Sequence, residues 1–328
     1  MPNRLRRLVF GAPLRVGLLF HRADRGGGED VRRHLDGAVT ALLEGYGIAL
    51  DDDDANRVSS RLAELPDLVR GFAYEGAGAA LTLLDRFRPG PRVRFEALLR
   101  GPGAPYAPLL HVGAGLALAR VSRRIEEETR GIDGEMRWLP LDAYGFERGV
   151  FAAERALRGH DPRLSPYGRR AFDQGLGRGL WFRAATHLPR IAQIVAGLGP
   201  ERHADVWSGV GLAIAYAGPN SEATLRELAE RAGPHGGSVR VGIGLAAFMR
   251  SEGRNPSPNT ERAARVLCAR SAEDAAEEAR RVVQTLRAAE DPPGSTENPY
   301  EAFRGGLQAA LSAEPVAEPP RQHLAQGV

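Results

Sequence analysis

No lysine occurs anywhere in the sequence, and all 44 basic side chains are arginines. With a formal net charge of only +3, this usage points to a GC-rich coding sequence, so a sequence pI near 9.3 does not argue for a nucleic-acid partner. The single cysteine, Cys268, excludes an intrachain disulfide and any multi-cysteine metal site, and it fits a reducing, cytoplasmic setting. No apolar run reaches the roughly 18 residues that a membrane span needs, so none is expected. The opening stretch MPNRLRRLVFGAPLRVGLLF has the basic start of a secretion signal, but Pro13 and Arg15 interrupt its apolar part. A basic amphipathic arm over residues 1–30 is the expectation.

Chemical signatures are as scarce as lysine. His111, His187 and His203 stand apart, and no H-x-x-x-H, H-E-x-x-H or G-x-S-x-G pattern occurs. The acidic run DDDDANR (51–57) lacks the central Gly and closing Glu of a calcium loop and reads as a solvated capping turn. Neither a metal nor a cofactor is therefore expected. Cys268 lies on an Arg- and Glu-rich helical segment with no local His to activate it.

Glycine, by contrast, is abundant at 40 residues, and it recurs inside apolar runs where a linker would not put it. EGYGIAL, EGAGAAL, VGAGLAL, FERGVFA, LGRGLWF, SGVGLAI and VGIGLAA align on Gly47, Gly78, Gly115, Gly149, Gly179, Gly211 and Gly244. The spacing stays between 30 and 37 residues, as in helix–turn–helix repeats whose units cannot bury their faces alone. SGVGLAIAYA followed by GPNSEA and TLRELAERAG reads as helix, capped turn, helix. Further second helices are expected at 61–69, 119–129 and 188–198, and one long helix over 261–289. Only 93–95 and 238–241 have local strand character.

These features predict an all-α fold, a TPR-like helical-repeat superhelix of about seven to nine pairs over 31–290, followed by a degenerate helix and flexible tail over 291–328. GLGRGLWFR (175–183) belongs to this pattern. A phosphate-cradling glycine loop needs a strand before it, and SPYGRRAFDQ offers none. Each mid-helix Gly costs about 1 kcal/mol against Ala, so close approach of a neighbouring helix or a ligand must offset it.

GFAYEGAGAALTLLD (71–85), FDQGLGRGLWF (172–182) and DVWSGVGLAIAYAG (205–218) resemble a family called domain of unknown function 1702, and the resemblance covers most of residues 1–290. Such proteins are commonly encoded in actinomycete gene clusters for enediyne polyketide antibiotics. The resemblance implies a role in making or tailoring the enediyne core from a polyene, and it carries no catalytic motif across.

Candidate site residues therefore come from what interrupts the repeat. Two positions after the shared Gly most copies carry Ala, but two carry Phe151 and Trp181; four positions before it lie Tyr74, His111 and Trp207. These aromatics either line a concave apolar groove or fill the core. Asp173, Gln174, Arg178 and Arg183 surround the fifth copy, with Glu75, Glu147 and Asp205 in others, and each could equally be a structural ion pair. Asp173 also suits a helix cap. One functional expectation is a site for an apolar polyene or enediyne-core molecule. In it Asp173, Glu147 and Arg178 assist proton transfer, and Tyr74, His111, Phe151, Gln174, Trp181, Arg183 and Trp207 bind. The other is a non-catalytic adaptor for the polyketide synthase or another pathway enzyme.

Overall fold

The computed structural model describes residues 29–87, 93–129, 136, 138–184, 186–288 and 299–312. The expected N-terminal arm up to residue 28, the linker over 289–298 and the tail after 312 lie outside the described residues. The regular structure among the described residues is all helical, with no strand among them. In chain order the helices are α1 (Glu29–Asp51), α2 (Ala55–Ala63), α3 (Asp67–Phe87), α4 (Arg94–Arg100), α5 (Ala107–Val121), α6 (Ile125–Thr129), α7 (Leu139–Phe151) and α8 (Ala153–Arg158). They continue as α9 (Pro166–Arg183), α10 (Leu188–Ala196), α11 (Pro200–Ala217), α12 (Glu222–Ala232), α13 (Gly236–Glu252), α14 (Pro258–Cys268), α15 (Ala272–Ala288) and α16 (Pro299–Ser312).

Helix starts follow local chemistry. Proline stands in the first turn of α5, α7, α9, α10, α11 and α14, where its missing N–H costs nothing. Side chains of Asp54, Ser165, Ser221 and Ser257 accept from free backbone N–H groups at the starts of α2, α9, α12 and α14. The short helices are one-sided: α10 buries only Leu188, Ile191 and Val195, and α12 only Leu225, Leu228 and Ala232. The long helices α3, α5, α7, α9, α11 and α13 are buried almost all round. They therefore form an inner row, with the short helices outside it.

Along that row each long helix packs on the next, from α1 through α3, α5, α7, α9, α11 and α13 to α15. Glycine allows the close approach. A Cβ on Gly113 of α5 would overlap the Glu75 carbonyl of α3, and one on Gly115 would strike Pro140 of α7. Two residues turn a helix by about 200°, so a G-x-G pair bares two nearly opposite sides, one for each neighbour. In α7 and α9, Gly145 meets Phe172 and Gly149 meets Leu176, equal steps along both chains, so these two helices run parallel.

The same contacts correct the glycine alignment. Those facing the following helix are Gly45, Gly78, Gly115, Gly145, Gly177 and Gly211, whereas a Cβ on Gly47 would touch nothing within 4 Å. Gly149 and Gly179 do pack, against each other, but one is a turn beyond and the other two residues beyond the equivalent position. Three of the seven copies are thus out of register. Several expected elements also differ. The single helix over 261–289 is two, α14 and α15, broken at Ala269, which adopts a left-handed φ of 52°. The expected helices at 61–69 and 119–129 each straddle a boundary, of α2 with α3 and of α5 with α6. The strand-like 238–241 lies within α13, and 94–95 within α4.

The row meets itself at one end. Arg250 of α13 donates through Nη1 to the Leu68 carbonyl of α3 at 2.7 Å and through Nη2 to the Tyr216 carbonyl of α11 at 2.6 Å. Phe72 of α3 packs edge-on against Tyr216, 5.3 Å between ring centres. At the far edge α16 covers α13 and α15, burying Tyr300, Phe303, Leu307 and Leu311.

Candidate functional site

The glycines that bare two sides of each inner helix also define a third, between them, that faces inward. The residue directly after each glycine that faces the following helix lies on that inner side: Tyr46, Ala79, Leu116, Phe146, Arg178 and Leu212. All six line one cavity of about 620 Å³, to which every long helix from α1 to α13 contributes. Such a volume is in the range that holds a small organic molecule. The wall is mainly aliphatic and aromatic, and its charged members are Glu75, Arg120, Glu147 and Arg178.

Glu75, on α3, is only 2% exposed, and no described group hydrogen-bonds its carboxyl. Burial pushes it up to about 7, against the pull of the Arg178 guanidinium and with a further push from Asp142. Arg178, on α9, donates through Nη1 to Asp142 of α7 and lies over the Phe146 ring, 5.0 Å from its centre. Asp142 is fully buried and also accepts from Gln174 Nε2 at 2.9 Å. Burial holds its carboxyl above the usual carboxylate range too, against Arg178 and Gln174.

From there a polar line runs outward. Gln174 Oε1 accepts from Ser208 at 3.2 Å and from Tyr300 of α16 at 3.4 Å, and the Tyr300 hydroxyl also lies 3.3 Å from Asp205. Asp205 is held by Arg170 at 2.9 Å and by Arg304. A second charged group lies elsewhere on the wall. Arg120 and Arg148 each approach Glu147 at 3.3 Å, and Arg120 covers the half-buried Phe151 ring, 4.9 Å from its centre. Burial raises the Glu147 carboxyl against both arginines.

Of the residues singled out from sequence, the structure brings Glu75, Glu147, Arg178 and Phe151 to the cavity wall. Gln174 stands one step behind, as a ligand of Asp142. The others lie elsewhere. Asp173 is buried on another side of α9, clamped by Arg202 at 2.6 Å and His160 at 2.8 Å. Trp181 is fully buried in the core against Phe182, and Trp207 is buried likewise. Tyr74 stacks on Tyr106 at 3.9 Å and bonds Ser59, His111 is buried beside Phe95, and Arg183 donates to the Val150 carbonyl. Burial lowers His111 to about 4, so it is neutral at ordinary pH. A position four before the shared glycine points away from the cavity because one further residue turns the helix by about 100°. Tyr46 and Phe146 could have been found from the correct glycine register. Among the described residues no three His, Cys, Asp or Glu side chains gather as metal ligands, and no helix is long and apolar enough to cross a membrane.

A family model described as Protein of unknown function (DUF1702) matches residues 1–311. The chain belongs to the DUF1702 family. Neither a curated protein nor a solved structure matches it. In this DUF1702 chain the match spans every helix that lines the cavity, as well as nearly all of α16.

Proposed function

We propose that this protein serves enediyne biosynthesis by holding an apolar, polyene-like intermediate inside a curved helical-repeat array. The observation that carries this reading is the 620 Å³ cavity, lined by seven long helices and apolar except for a few charged groups, foremost Glu75, whose carboxyl no described group hydrogen-bonds, beside Arg178. An apolar chain would gain about 25 cal/mol for each Å² it removes from water there. The family resemblance supplies the pathway. Shape and the acid–base groups of the wall supply what chemistry the site has.

An adaptor would instead need a broad apolar face directed outward. The large apolar side chains exposed among the described residues are only Leu68, Phe87 and Val93. The small-molecule reading is therefore the better supported. The test is co-expression with the polyene-forming synthase, with and without this gene, followed by mass analysis of extracted polyenes and of whatever co-purifies with the protein. An unchanged polyene profile together with a protein that carries no apolar molecule would overturn the proposal.

A further inference from the structure

Inside the cavity the polar groups form two unequal sets. Glu147 is met at ion-pair distance by Arg120 and Arg148, although its Oε2 and the Arg148 Nε make no hydrogen bond. Glu75 is not. Its carboxyl has no hydrogen-bond partner among the described residues, and the nearby Arg178 uses only Nη1, on Asp142, leaving Nε and Nη2 without a described protein acceptor. Polar groups on a cavity wall in that condition are available to a ligand or to water.

We propose that Glu75 and Arg178 form a subsite for the carbonyl oxygen of an otherwise apolar chain, an inference that rests on the cavity being a small-molecule site. A neutral carboxyl and a guanidinium both present donors, and two donors from α3 and α9 on one cavity wall call for an acceptor. A carboxylate would bring a full negative charge next to buried Asp142. An ammonium would place a second cation beside Arg178. A ketone, aldehyde or thioester carbonyl accepts both donors and adds no charge.

Protonation of Glu75 is what makes it a donor, and its surroundings favour that form near neutrality. The groups facing it across the cavity are Tyr46 on α1, Arg120 on α5, Glu147 on α7, Arg178 on α9 and Tyr216 on α11, with Asp142 of α7 behind the wall. Of these, Arg178, Asp142 and Tyr216 couple to it electrostatically.

The experiment displaces a solvatochromic apolar dye from the purified protein with dodecane, 2-dodecanone and dodecylamine. At about pH 5.5 the ketone should displace at roughly tenfold lower concentration than the alkane, as one buried hydrogen bond warrants. Its advantage should shrink by about pH 8.5, where Glu75 becomes a carboxylate. Glu75→Gln, whose amide still donates but does not titrate, should keep the ketone preference at both pH values. Glu75→Leu should lose it while melting as a folded protein. Equal displacement by ketone and alkane, a ketone preference that survives Glu75→Leu, or tightest binding of the amine would each overturn the subsite and leave the cavity reading standing. Failure of every chain to displace the dye would overturn both.

Discussion

Gly47 and Gly113 look alike in the sequence, each in an apolar helix with a second glycine two positions away, yet their surroundings differ completely. Around Gly47 an added methyl would meet nothing, so Gly47→Ala should stabilise the protein by about 0.5–1 kcal/mol through helix propensity alone. Gly113→Ala would drive a methyl into the α3 backbone and should cost about 1–3 kcal/mol or more. Urea denaturation of the two variants checks both signs; two shifts in the same direction would remove the register from the account. Periodicity made the glycines visible in the sequence, but not which neighbour each faces, because several runs carry more than one candidate pair. Tyr74, His111 and Trp207 are counted from glycines in the right register, but four positions back is one residue off the inward face, so they do not line the cavity. Glu75 makes the second prediction at this scale. The folded protein keeps its proton up to about 7, whereas the unfolded chain releases it near 4.5, so over that window the folded state binds more protons. Stability should therefore fall as pH rises across the window, by at most about 1.4 kcal/mol for each pH unit, and level off above it. Glu75→Gln lacks this contribution. The stability gap in its favour should be wider at about pH 8 than at about pH 5, and an equal gap would show that the carboxyl reaches water.

Helix content and the alternation of long with short helices were legible at the level of elements, since capping serines, first-turn prolines and one-sided apolar patterns are local. The break between α14 and α15 was not. ERAARVLCARSAEDAAEEARR holds no glycine or proline to announce it, and the chain turns at Ala269 in a conformation that L-residues adopt at a cost of about 1–2 kcal/mol. Ala269→Gly should relieve that cost and, after the added freedom of the unfolded chain, stabilise by about 0.5–1 kcal/mol. A denaturation midpoint that falls instead would mean that the alanine methyl packs usefully there. Buried ion pairs were equally hard to sort by element. Asp173 and Asp142 both sit in inner helices among arginines, and only the rotation of α9 relative to α7 decides that Arg178 turns to the cavity while Asp173 turns to Arg202.

For the molecule as a whole, α16 is the element whose importance exceeds its place at the end of the described chain. Tyr300 and Phe303 pack on the fully buried Trp138, 4.7 and 6.1 Å between ring centres, and Arg304 and Tyr300 both reach Asp205. Ending the chain at residue 298 would uncover those apolar surfaces at a cost on the order of 5 kcal/mol. The truncated protein should show red-shifted tryptophan emission and an earlier unfolding transition; unchanged emission would mean that Trp138 is covered without α16. Contacts between residues this far apart in sequence have no local signature, so neither this cover nor the junction of α13 with α3 could be read in advance. That junction constrains how the protein could have changed over time. An open row of repeats tolerates the gain or loss of a unit at little cost, since every interior copy meets the same kind of neighbour. Here Arg250 must reach the Leu68 carbonyl across the gap, so a duplicated or deleted unit would pull donor and acceptor apart and cost a buried guanidinium its shortest Nη1 hydrogen bond. Lineages of this protein should therefore vary in their surface helices and loops while keeping the number of inner helices constant, and inserting one extra unit by design should abolish the junction before it enlarges the cavity.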